Sequence, residues 1–215
     1  MKGRWCRNKI ERIRKEITPF FADDYSGHDL QHTLRVCRMA AEIAEKEKAD
    51  VCIAAAIALL HDVDDEKLIG KQGKPENAAA ILRKVGADEE TAKQICRNIE
   101  KISFRGSGDQ IPPDMEGKIV QDADRLDAIG AVGIARTFAY AGNRKQPLFS
   151  VEDETGGNTA LSHFYDKLLK LKKLLNTETA RRMAEERHDF MLMFLDELYR
   201  ETGYKKDGSH IYYEG

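Results

Sequence analysis

The run VCIAAAIALLHDVDDE, residues 51–66, constrains this chain more than any other segment. From Val51 to Leu60 it is apolar on nearly every side of a helix, so it has no face to offer water and must be a buried central helix. It is too short to cross a bilayer, which takes roughly 20 residues. Asp50 is placed to cap its N-terminus. The run then changes abruptly to His61-Asp62-Val63-Asp64-Asp65. An imidazole beside carboxylates at such a place is costly to desolvate unless hydrogen-bonded or held on a cation. The competing reading is that His61 and Asp62 only close the helix and face water.

Elsewhere, alternating β-branched runs are missing and Ala, Leu, Ile, Met, Lys and Glu dominate, so the expected fold class is all-α. Ile10, Ile13 and Ile17 mark a first helix that stops near Thr18-Pro19 and packs as a lid or brace. Ser26 and Asp29 have capping-box spacing, which predicts a helix over 27–48 with Leu30, Leu34, Cys37, Ala41 and Ala44 in register. Further helices are expected over 75–85, 88–101, 115–140, 160–175 and 178–201. Gly- and Pro-bearing loops fall at 105–114 and 141–158, and the second is long enough to shape or cover a site. No repeat or composition break divides the chain, so residues 1–215 read as one domain, with its functional core at about 25–137 and the helices of 160–201 packed on it.

Thirty-five basic residues against thirty-seven acidic ones leave a net charge of −2, too little for a field that gathers nucleic acid or anionic membrane. The basic residues are interleaved with acids and do not cluster with aromatics, which leaves no strong nucleic-acid signal. The charged N-terminus lacks the apolar stretch of a secretory signal, so a cytoplasmic location is expected. Cys6, Cys37, Cys52 and Cys96 form no CxxC pair and read as free, small core residues of a reducing compartment. The polar tail at 203–215, with Tyr204, Tyr212 and Tyr213, is either a loose end or a homo-oligomer contact.

His-Asp occurs at residues 28–29, 61–62 and 188–189, and only the middle copy ends a strongly apolar helix. His28, His32 and Arg35 share one helical face, so two imidazoles and a cation can line one cavity. In QDADRLD, Ile119, Ala123, Leu126 and Gly130 form a buried stripe. Asp124 and Asp127 lie in the row beside it, while Asp122 points elsewhere. Helical phase leaves the choice between Asp124 and Asp127 open. His163 and His188 sit among Leu and Phe residues and read as packing histidines.

Together, His32-Thr-Leu-Arg35-Val36, Leu60-His61-Asp62 and Ala123-Asp124-Arg125-Leu126 resemble the ordered H, HD, D signature of the HD superfamily of metal-dependent phosphohydrolases. The segments HDVDDEKL, QDADRLDAIGAVGIARTFAY and SHFYDKLLKL are similar to a bacterial and archaeal branch of HD hydrolases without a settled substrate. The resemblance implies an HD-domain helical bundle in which His32, His61, Asp62 and Asp124 bind one divalent ion: Mn, Fe, Co, Ni or Mg. It implies hydrolysis of a phosphoester or phosphoanhydride in a small phosphorylated molecule such as a nucleotide. In related hydrolases, an acid three residues after the metal-binding Asp assists catalysis. Here that position is Asp65, one methylene shorter than the usual glutamate, with Asp64 beside it. His28 and Arg35 are phosphate-binding candidates, followed by Arg125, Lys118 and Lys167. A nucleotide-binding regulatory protein with little chemistry is the alternative. A dinuclear iron oxygenase needs further histidines between His61 and Asp124, and the sequence has none there.

Overall fold

The computed structural model describes residues 2–21, 29–65, 75–102, 110–149 and 159–203. Among them there are helices and no strands, in agreement with the all-α expectation. The helices are α1 (Lys2–Ile17), α2 (Leu30–Lys46), α3 (Val51–Leu60), α4 (Glu76–Lys84), α5 (Glu89–Ile102), α6 (Met115–Asp127), α7 (Gly130–Asn143) and α8 (Glu178–Thr202). Between α7 and α8 lies an irregular helical stretch at 160–174, which includes a π-helical turn at Phe164–Leu168.

The chain divides into two compact units. The first comprises Met1–Asp124 with Asn176–Ala180 and is organised on α3. That helix is buried from Ala54 to Leu60, and α1, α2 and α5 pack around it. Asp50 caps α3 by accepting the Cys52 and Ile53 N–H groups at 2.8 and 3.0 Å, as its sequence position predicts. Helix α2 begins later than expected. Its N-cap is Asp29, whose carboxylate takes the His32 N–H at 2.7 Å, and Ser26 lies outside the described residues.

Helix α1 is the expected brace. Ile13 and Ile17 are buried, and a 3-10 turn at Thr18–Phe21 follows. Its polar side closes the C-terminus of α4: Lys9 donates to the Gly86 carbonyl at 2.5 Å, and Arg12 donates to those of Lys84 and Val85. The Lys84 and Val85 carbonyls are among those that a helix end leaves without partners of its own. Cys6 also forms a disulfide with Cys52, so the expectation of free thiols holds only for Cys37 and Cys96.

The second unit comprises Arg125–Leu175 and Arg181–Gly215. Phe138, Phe164 and Phe194 form its aromatic centre, with ring centroids 5.8–6.1 Å apart. The single helix expected over 115–140 is two helices, broken at Ala128-Ile129. Gly130 opens α7 at φ +76°, a conformation in which a side chain would be strained. A Cβ there would also stand 3.0–3.1 Å from the Arg187 side chain.

Candidate metal centre

Four side chains converge where the N-terminal turn of α2, the exit of α3 and the late part of α6 meet within the first unit. His32 Nε2 stands 3.5 Å from Asp62 Oδ2 and 3.4 Å from Asp124 Oδ1. His61 Nε2 is 3.2 Å from Asp62 Oδ2, and the two imidazole centroids are 5.6 Å apart. His32 is fully buried, His61 and Asp62 nearly so, and the Asp124 side chain keeps 31% exposure. Three of the four side chains are therefore shielded from solvent and the fourth is reachable.

Local backbone geometry sets the histidine tautomer. His61 Nδ1 lies 2.7 Å from the Ala58 carbonyl oxygen, one turn back. A carbonyl only accepts, so Nδ1 carries a proton, and in the neutral imidazole this tautomer leaves the Nε2 lone pair facing the cluster. That Nε2 is buried and has no hydrogen-bond partner among the described residues, although it faces a carboxylate oxygen. In that form two electron-rich atoms face each other in a buried site, an arrangement that a cation between them would stabilise.

The spacing fits a metal ion. Donors bonded to one divalent ion at about 2.1 Å stand roughly 3.0–3.4 Å apart at octahedral or tetrahedral angles. The pair distances here, 3.2–3.5 Å, lie within or just above that range, and one donor atom from each of His32, His61 and Asp62 falls within 4.8 Å of the others. Two imidazoles with two carboxylates form a mixed N/O set suited to first-row divalent ions. Burial works to raise the Asp124 carboxyl pKa. The His32 hydrogen bond, with the charge that the His32 and His61 rings carry when protonated, outweighs it and holds the group below its ordinary value.

The other expected site residues fare unevenly. Asp65 follows at the exit of α3, half-buried, with its N–H on the Asp62 carbonyl at 2.9 Å. Arg35 lies one turn beyond His32 and is half-buried. His28 lies outside the described residues. Lys167 belongs to the second unit, in the π-helical turn, and its charge helps to hold His163 below its usual pKa after the larger effect of burial.

Two of the expected residues are engaged elsewhere. Asp64, read as a catalytic acid, points both oxygens at the N-terminus of α4 and accepts the Asn77 and Ala78 N–H groups at 2.9 Å each. It is a remote cap for that helix. Arg125, read as a phosphate ligand, is buried and donates to the Leu174 carbonyl within the second unit. Asp127 is likewise occupied, paired with Arg136 at 2.7 Å.

Asp122 was not expected to matter, yet it is fully buried and accepts four hydrogen bonds from Asn176 and Thr177. Its partners lie more than 50 residues away. Helical periodicity carries no signal for them.

The fold and this cluster define a class: the chain belongs to the HD family, whose domain model matches residues 29–129. It is 44% identical over 202 residues to the uncharacterised Bacillus subtilis protein YpgQ, spanning 90% of this chain and 93% of that one. The crystal structure of YpgQ in complex with ADP superposes with a TM-score of 0.76 at 38% identity, covering 92% of this chain and 96% of YpgQ. An HD-superfamily hydrolase from Bacillus thuringiensis gives a TM-score of 0.76 at 36% identity, covering 91% of this chain and 97% of the other.

Proposed function

We propose that this chain is a metal-dependent phosphohydrolase acting on a small phosphorylated molecule, a nucleotide in the first instance. The observation that carries the reading is the buried His61 Nε2, with no hydrogen-bond partner among the described residues and 3.2 Å from the Asp62 oxygen that His32 Nε2 also approaches to 3.5 Å. His32, His61, Asp62 and Asp124 would hold one divalent ion. Such an ion polarises a phosphoryl group and makes water more acidic.

The chain's own groups account for the rest. Asp65, just past the ligand pair, takes the proton of the attacking water, directly or through a second water because its side chain is short. Arg35, one turn from His32, grips phosphate oxygens with its planar guanidinium. The open side at Asp124 is the approach for substrate. The nucleotide assignment draws on the ADP complex of YpgQ.

The test is metal analysis of the purified protein, followed by phosphate or pyrophosphate release from a panel of nucleotides and sugar phosphates with Mn, Co, Ni or Mg. Release that requires metal and favours nucleotides supports the proposal. Bound metal with nucleotide affinity and no turnover would replace it with a regulatory binding protein.

A further inference from the structure

Asp124 is the ligand on the longest lever. His61 and Asp62 are consecutive at the end of a buried helix, and His32 is pinned at the capped start of α2. Asp124 instead projects from α6, so its aim depends on how that helix is rotated about its own axis. A carboxylate roughly 6 Å from a helix axis moves about 1 Å for each 10° of rotation. Functional groups must be held to about 0.5 Å and 10–20°, so a rotation of that size matters.

Two residues before Asp124, Asp122 lies about 200° round the helix, on nearly the opposite side. Its Oδ1 accepts the Asn176 N–H and side-chain Nδ2, each at 2.8 Å. Its Oδ2 accepts the Thr177 N–H and hydroxyl, each at 2.8 Å. The Thr177 hydroxyl in turn accepts the Ala180 N–H at 3.3 Å, which makes it the N-cap of α8. The Thr179 N–H goes to Glu47 Oε1 at 2.8 Å, at the far end of the helix that carries His32. Residues Asn176–Ala180 are thus a clip in the first unit, bonded to α6 on one side and to α2 on the other.

We infer that Asp122 is a positioning residue for the metal centre: by clamping Asn176 and Thr177 it fixes the rotation of α6 and aims Asp124 at His32. The inference rests on the metal-centre reading above. It assigns a function to a carboxylate that touches no ligand, and a role in the site to a segment more than 50 residues downstream.

The experiment measures Mn affinity from the free-ion electron paramagnetic resonance signal, with helix content checked by circular dichroism. Wild type is compared with Asp122→Ala, Thr177→Val and Thr177→Ser. Affinity falls at least tenfold in Asp122→Ala and several-fold in Thr177→Val, and Thr177→Ser, which restores the hydroxyl, recovers it. Folded variants that lose thermal stability but bind Mn within twofold of wild type would overturn the inference while leaving the metal centre standing. If Asp122→Ala does not fold, the Val and Ser pair at Thr177 decides. If wild type takes no Mn, the metal reading fails by itself, and the ring nitrogen shifts of His32 in the metal-free protein judge the clamp. A shift that moves in Thr177→Val sustains it, and an unchanged one removes it.

Discussion

Asp62 Oδ2 lies within 3.5 Å of both imidazoles, so this one oxygen is the hub of the cluster. Asp62→Ala should therefore abolish most metal binding and hydrolysis while α3, buried from Ala54 to Leu60, survives. Metal content and circular dichroism together check this. Asp65→Asn should retain the metal and slow turnover by about 10² to 10⁴, the usual cost of losing a proton-transfer group. A rate equal to wild type would make Asp65 an ordinary surface acid. Cys37 gives a prediction outside the site. Burial pushes its thiol up to about 11, Arg14 pulling only weakly the other way, and its Sγ lies 3.8 Å from the Ala55 carbonyl. Only the thiolate reacts, so at pH 8 alkylation should run roughly a hundredfold slower than for a thiol at the ordinary value, and should accelerate with pH up to that shifted pKa. Peptide mapping after timed iodoacetamide treatment reads this out.

At the scale of elements, two joints carry the argument. The break between α6 and α7 needs Gly130 at positive φ, with the Arg187 side chain where a methyl would sit. Gly130→Ala should cost about 1–2 kcal/mol from the backbone conformation alone, and more if Arg187 does not yield. Chemical denaturation measures it. The Cys6–Cys52 disulfide joins α1 to the first turn of α3 across a separation of 46 residues. Chain entropy over such a loop is worth up to about 4 kcal/mol, so reduction by dithiothreitol should lower Tm and hasten proteolysis within α1. An unchanged melting curve under reducing conditions would show that the bond contributes little. These joints also mark where the sequence misled. The pattern of 115–140 reads as one continuous helix because its apolar residues keep helical spacing and no proline interrupts it, and periodicity has no term for a side chain arriving from residue 187.

For the whole molecule, an ion bound only by the folded state must raise its stability. At a hundredfold excess over Kd the gain is about 2.7 kcal/mol, or roughly 5–10 °C in Tm for a chain of this size. A chelator should remove that increment and Mn should restore it, followed by scanning fluorimetry. Among the described residues, no helix is long and apolar enough to cross a membrane.

The sequence by itself determined the helical class, the buried course of Val51–Leu60 with its Asp50 cap, and the pairing of His61 with Asp62, because these depend on neighbours within a few residues. The family signature added His32 and Asp124. Tertiary structure decided which carboxylates are available. Helical phase separates Asp122 from Asp124 but not Asp127, and no local pattern ranks Asp62 over Asp64, yet Asp64, Asp122 and Asp127 are each taken by a partner outside their own turn: the start of α4, the Asn176 clip and Arg136. A buried carboxylate goes to whichever donors the fold brings to it, and those donors lie beyond the reach of any local pattern.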